Sequence, residues 1–135
     1  MKQLTRTTIG AVLLSAGLII AAPVMAQLPA AQEQNGITYI TGGVGTDEAH
    51  AFQSVRGQYN LQLTVTMKDG TFLADIPVKV INSRNQTVLD TTTDGPYLFA
   101  KLPAGRYQVV VGDSRVQKRT VQVGGKGGAN VHFVY

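Results

Sequence analysis

The chain has 135 residues, no cysteine and a formal net charge of +4, with 44% of its residues apolar. That length suits a single domain with one packed core. The composition excludes a disulfide scaffold, and the charge is too mild for a dedicated nucleic-acid binder.

Lys2 and Arg6 flank the start, Ile9 to Ala22 is apolar or small, Pro23 ends the run, and Val24-Met25-Ala26 offers small residues for cleavage. This pattern predicts a secretory signal over residues 1–26, with the mature chain beginning at Gln27. The apolar run is about half to two-thirds of the roughly 20 residues a spanning helix needs, and a retained anchor is the alternative reading. No cysteine follows it, which excludes a lipidated N-terminal cysteine. Without residues 1–26 the chain keeps 109 residues, with ten cations against eight carboxylates. A cysteine-free domain sent to an oxidising compartment points to a bacterial periplasm, with no nucleic-acid partner and no stable membrane insertion after cleavage.

Residues 27–36 read as a flexible polar segment, and 37–135 as the folded domain. Ile37 to Thr41 is β-branched and aromatic, a short strand stopped by Gly42-Gly43. Asp47 to Arg56 suits a short helix: Thr46 is placed to cap it, Asp47 and Glu48 favour its positive end, and Gly57 stops it. Ala49, Phe52 and Val55 would face the body. From Tyr59 the period becomes two, and Tyr59, Leu61, Leu63, Val65 and Met67 form the expected buried face. After the Asp69-Gly70 turn come Phe72 to Ala74 and Pro77 to Ile81, a stretch split near Pro77, and then Thr87 to Thr92. Tyr97 to Leu102, Arg106 to Val111, Val116 to Val123 and Asn130 to Tyr135 complete about seven or eight short strands, with a GGKGG run at 124–128. The expected fold is all-β, a seven- to eight-stranded antiparallel β-sandwich with one short helix near the start of the mature chain.

The segment Thr87 to Val111 carries Asp94-Gly95, Tyr97, Phe99 and Leu102-Pro103-Ala104-Gly105-Arg106-Tyr107 in order. It resembles the carboxypeptidase regulatory-like and transthyretin-like (prealbumin-like) β-sandwich domains, with their strand, Asp-Gly turn, aromatic strand and Leu-Pro-x-Gly-x-Tyr corner. Glycines 95 and 105 would permit positive φ at tight turns, and Tyr107 would pack on the returning strand. With Tyr59 to Val80 as preceding strands, the resemblance covers about three-quarters of the mature chain, and the Tyr39 to Gly45 opening is similar to that of small exported proteobacterial proteins. It implies a fold and is nearly silent on activity.

Transthyretin-like hydrolases of 5-hydroxyisourate define the remote enzyme alternative. They end in Tyr-Arg-Gly-Ser, whereas this chain ends His132-Phe133-Val134-Tyr135, and its other histidine is His50. Asp47, Glu48 and His50 do not share a helix face, so no metal site or cofactor is expected from them. Gly42 to Thr46 before a helix offers backbone donors to an anion, but Asp47 and Glu48 would repel one. Tyr39, Tyr97 and Tyr135 are the candidate ligand surface if they cluster, and core aromatics if they do not. Arg115, Lys118, Arg119 and Lys126 form a local excess that would protect an exposed strand edge or meet an acidic partner or polysaccharide. Together the residues point to an exported, non-catalytic module acting through protein contacts in the periplasm or envelope, with the final strand as one candidate for strand addition and homo-oligomerisation as an option. A carbohydrate or small-ligand module is the alternative.

Overall fold

Alternation along Leu61 to Thr66 puts Leu61, Leu63 and Val65 on one face, all fully buried. The same two-residue period recurs through the chain and produces two stacked sheets. The computed structural model describes residues 28–124 and 128–135, so the leader and the centre of the glycine run lie outside the described residues. The first sheet contains β1 (Gln32–Gln34), β2 (Ile37–Gly42), β3 (Leu61–Thr66), β6 (Tyr97–Lys101) and β9 (Ala129–Val134), in the order β1-β2-β6-β3-β9. The second contains β4 (Pro77–Asn82), β5 (Thr87–Thr92), β7 (Gly105–Val111) and β8 (Gln117–Val123), in the order β5-β4-β7-β8. The main core lies between them and includes Leu63, Val65, Val80, Leu89, Val109 and Phe133.

A second cluster covers the outer face of the first sheet. The helix α1 (Thr46–Val55) drops Phe52 onto Phe99, edge to face with centroids 5.2 Å apart, and Ile40 and Tyr97 complete the layer. Burial of the Phe52 ring contributes roughly 2–3 kcal/mol, enough to hold a helix too short to persist alone.

Several expectations change. The strands number nine among the described residues, and β9 runs parallel to β3 while the other paired strands are antiparallel. Because β9 enters from the opposite sheet, no hairpin dictates its direction. Gln32–Gln34, expected to be flexible, pairs with β2 through a turn in which Asn35 and Gly36 have φ of 53° and 77°. That is the Asn-Gly geometry of a tight hairpin. Gly45, not Thr46, occupies the helix N-cap position, without a side-chain cap, and a 3₁₀ turn over Arg56–Gln58 replaces the stop at Gly57. Met67 is 43% exposed, outside the buried face. Gly95 has no positive φ; its reason is close approach, because a Cβ there would fall on the Gly42 carbonyl. Gly105 does take a positive φ, 157°, and Tyr107 is buried with its hydroxyl donating to Pro103 O at 2.6 Å. That bond fastens the Leu102-Pro103 corner where the chain passes from β6 to β7.

Candidate functional site

Each sheet has two edges, and the sandwich brings them together as two seams. At the β1/β5 seam, Gln34 Nε2 donates to Asp90 O at 3.1 Å, and Asp90 N–H donates to Gln34 Oε1 at 2.6 Å. Asn35 Nδ2 donates to Val88 O at 3.0 Å. Primary amides thus replace a missing neighbour strand along β5.

The β8/β9 seam is different. Gly112 N–H donates to Pro77 O, which sets the alternation along β7: Val111, Val109, Tyr107 and Gly105 turn their backbone groups toward Gln117, Arg119, Val121 and Val123. Lys118, Thr120 and Gln122 therefore aim N–H and C=O away from the sheet. On β9, Tyr135 N–H donates to Thr66 O and Tyr135 O accepts from Lys68 N–H, so Asn130, His132 and Val134 face outward by the same alternation. Among the described residues one side-chain amide bond crosses this seam, from Gln117 Nε2 to Val134 O at 2.8 Å.

Side chains make the seam cationic. The Arg119 guanidinium lies 5.0 Å from the centroid of the Phe133 ring, and Arg115 lies 5.4 Å from that of Tyr135. Lys118 is exposed on the outer face of the second sheet, in a row with Val110 and Lys79. Burial pushes the Tyr135 phenol up, opposed by Arg115 and reinforced by Asp113.

The other candidates are placed as follows. Tyr39 lies in the core between the sheets, its hydroxyl 3.2 Å from Gln32 Oε1; Tyr97 lies on the opposite face beneath α1; Tyr135 sits at the loop end, donating to Val111 O at 2.8 Å. These three rings occupy three environments and form no common platform. Asp94 N–H donates to Thr41 Oγ1 at 3.0 Å, tying the Asp94-Gly95 turn to β2. At the glycine run before α1, Gly43 N–H donates to Glu48 Oε1 at 2.6 Å, so an internal carboxylate holds that donor. His50 is on α1, whereas His132 on β9 pairs its Nε2 with Thr66 Oγ1 at 2.7 Å. Among the described residues no group of three or more His, Cys, Asp or Glu is arranged to hold a metal ion.

Buried polar side chains are committed to the fold. Thr41 donates to Tyr97 O, Gln62 donates to Arg56 O and Tyr59 O, Thr93 Oγ1 accepts from Ile76 N–H, and Thr66 meets His132. Two hollows remain. One of about 400 Å³ is lined by Tyr59, Asn60, Gln62 and Lys101, with the Lys101 ammonium 5.3 Å from the Tyr59 centroid. The other, about 330 Å³, lies at the loop end among Met67, Leu73, Ile76, Arg115 and Tyr135. Residue type alone flagged the cations, but outward direction at Lys118, Thr120 and Gln122 follows only from the register. Compared with known proteins, the chain matches no family model and no curated sequence.

Proposed function

We propose that this chain is an exported, non-catalytic β-sandwich that acts through protein contacts in the periplasm or at the cell envelope, and that those contacts form along the β8/β9 seam. The leader residues support export. The resemblance of Thr87 to Val111 to carboxypeptidase regulatory-like and transthyretin-like domains is compatible with a scaffold and supplies no catalytic group. One observation carries the reading: of the two seams, β1/β5 is closed by amide side chains, while β8 presents three residues, Lys118, Thr120 and Gln122, whose outward backbone groups have no partner among the described residues. An extended segment of another protein adds naturally to such an edge.

A photo-crosslinking residue placed in cells at Thr120, at His132 and, for comparison, at Asp90 tests this. Crosslinks to one protein from the first two positions and none from Asp90 are expected. Equal capture from all three, or none from β8 and β9, overturns the reading. The loop-end hollow favours the small-ligand alternative, with Asp75, Asp113, Ser114, Arg115 and Tyr135 as its polar groups. Saturable binding of a neutral sugar or small molecule that shifts the Tyr135 resonances would establish that alternative instead.

A further inference from the structure

We infer that the segment received by β8 is extended and acidic, an inference that rests on the seam being the contact surface. Residues 114–135 contain Arg115, Lys118, Arg119 and Lys126 and no Asp or Glu, whereas residues 28–113 contain eight Asp or Glu and six Lys or Arg. Among the described residues the cations of this C-terminal stretch therefore lie on β8, at Lys118 and Arg119, and in the turn that leads into it, at Arg115.

The β8 cations flank the outward backbone groups on both faces. Lys118 stands on the outer face of the second sheet, and Arg106 on β7 shares that face, opposite Gln122. Arg119 points the other way, into the seam, and rests against Phe133, a ring that is itself fully buried. That contact limits the freedom of the guanidinium before any partner arrives, so less side-chain entropy is lost when a carboxylate meets it. A strand added at Lys118, Thr120 and Gln122 would form main-chain hydrogen bonds there. Its alternate side chains would lie beside Lys118 on one face and Arg119 on the other.

The same charges select the occupant. A second copy of this edge would bring a matching set of cations alongside, and a basic or neutral segment would leave them unpaired, so acidic side chains are favoured over all of these. An anionic polysaccharide would satisfy the cations but not the ladder of outward N–H and C=O groups. A peptide satisfies both.

Four probes test the inference on the purified protein: a short peptide alternating glutamate and threonine, its lysine–threonine counterpart, the acidic peptide N-methylated at alternate amides, and dextran sulfate. The acidic peptide should bind more tightly than the lysine peptide by about tenfold or more, and the preference should shrink as salt rises. Its binding should shift the amide resonances of Lys118, Thr120 and Gln122 and slow their hydrogen exchange. N-methylation should abolish binding. Thr120→Pro removes an outward donor without touching the β7 ladder and should weaken the acidic peptide about tenfold; K118E/R119E should reverse the charge preference, giving a second readout if the proline variant does not fold. Equal binding of the N-methylated peptide or of dextran sulfate overturns the inference, as does preference for the lysine peptide. If crosslinks in cells arise from β8 but the captured segment is neutral or basic, the acidic assignment fails while the contact surface stands. If no crosslinks arise there, both fail.

Discussion

The two seams of this sandwich use the same device to different extents. At β1/β5, the Gln34 and Asn35 amides make three hydrogen bonds to the β5 backbone, and Tyr39 brings its hydroxyl to 3.4 Å from Thr91 Oγ1. At β8/β9, Gln117 makes one, to a carbonyl near the end of β9. A two-residue turn at Asn35-Gly36 places neighbouring amides over β5, whereas β8 and β9 are joined through a glycine run, after which Ala129 N–H meets Asn60 O and the β3 ladder begins. A closed edge thus needs a rigid hairpin to aim its amides. An edge without one keeps its backbone groups for another chain.

Removing the aromatic that underlies the open seam should give the largest effect. Phe133→Ala deletes a fully buried ring and the support of Arg119, and should cost about 3–5 kcal/mol by chemical denaturation. Arg119→Ala should cost only about 0.5–1 kcal/mol. Comparable losses would mean that the cation, rather than the ring, organises the seam.

Gln34→Ala tests the closed side. It removes both bonds to Asp90 and should cost about 1–2 kcal/mol, with faster hydrogen exchange at the Asp90 amide. Opening that edge should also create concentration-dependent self-association by sedimentation. A variant that stays monomeric with an unchanged Asp90 amide would remove the distinction between the seams.

The strands of the core were legible because their period survives in each half of the sandwich. Leu61, Leu63 and Val65 alternate with Gln62, Thr64 and Thr66 in sequence and in space. The hairpin strand β1 was not, since Gln-Glu-Gln has no apolar face, and its order comes from pairing with β2 and from a side-chain bond to a partner 56 residues away. The Asn35-Gly36 pair is the one local signal of a hairpin there, and it lies inside the segment expected to be flexible. Met67 continued the period past the last ladder residue, where the chain turns instead toward Thr71 and its side chain emerges. At the candidate site, Arg115, Lys118 and Arg119 were visible as a charge excess, but their relation to the edge backbone was not. The bond from Gly112 to Pro77 O, between residues far apart in the chain, decides which β8 atoms point outward. Tyr39, Tyr97 and Tyr135 looked alike as residues, and only the strand faces separate them.

The crossing between the sheets offers a control that should weaken both seams together. Burial pushes the Tyr107 phenol above its ordinary pKa, and its hydroxyl donates to Pro103 O. A raised folded pKa means that the stabilisation is complete below about pH 10, the unfolded tyrosine value, and is lost as pH rises through the folded one. Tyr107→Phe should cost about 1 kcal/mol at neutral pH and should flatten the alkaline decline in stability. An identical alkaline profile in the variant would assign the decline to Tyr59 and Tyr135, whose phenols are also pushed up by burial.

The smallest effect belongs to Gln117→Ala. Its amide bond to Val134 O is solvent-exposed, so its net contribution lies at the low end for hydrogen bonds, about 0.5 kcal/mol, and Tm should fall by about 2–4 °C. Loss of this bond frees the Val134 carbonyl and should speed exchange at the neighbouring Tyr135 and Lys68 amides, which belong to the last rung of the β3–β9 ladder. Exchange at Asp90 on the far seam should not change. If Gln117→Ala costs as much as Gln34→Ala, the β8/β9 seam is as firmly closed as its counterpart, and the difference between the edges lies in charge rather than in backbone groups left available.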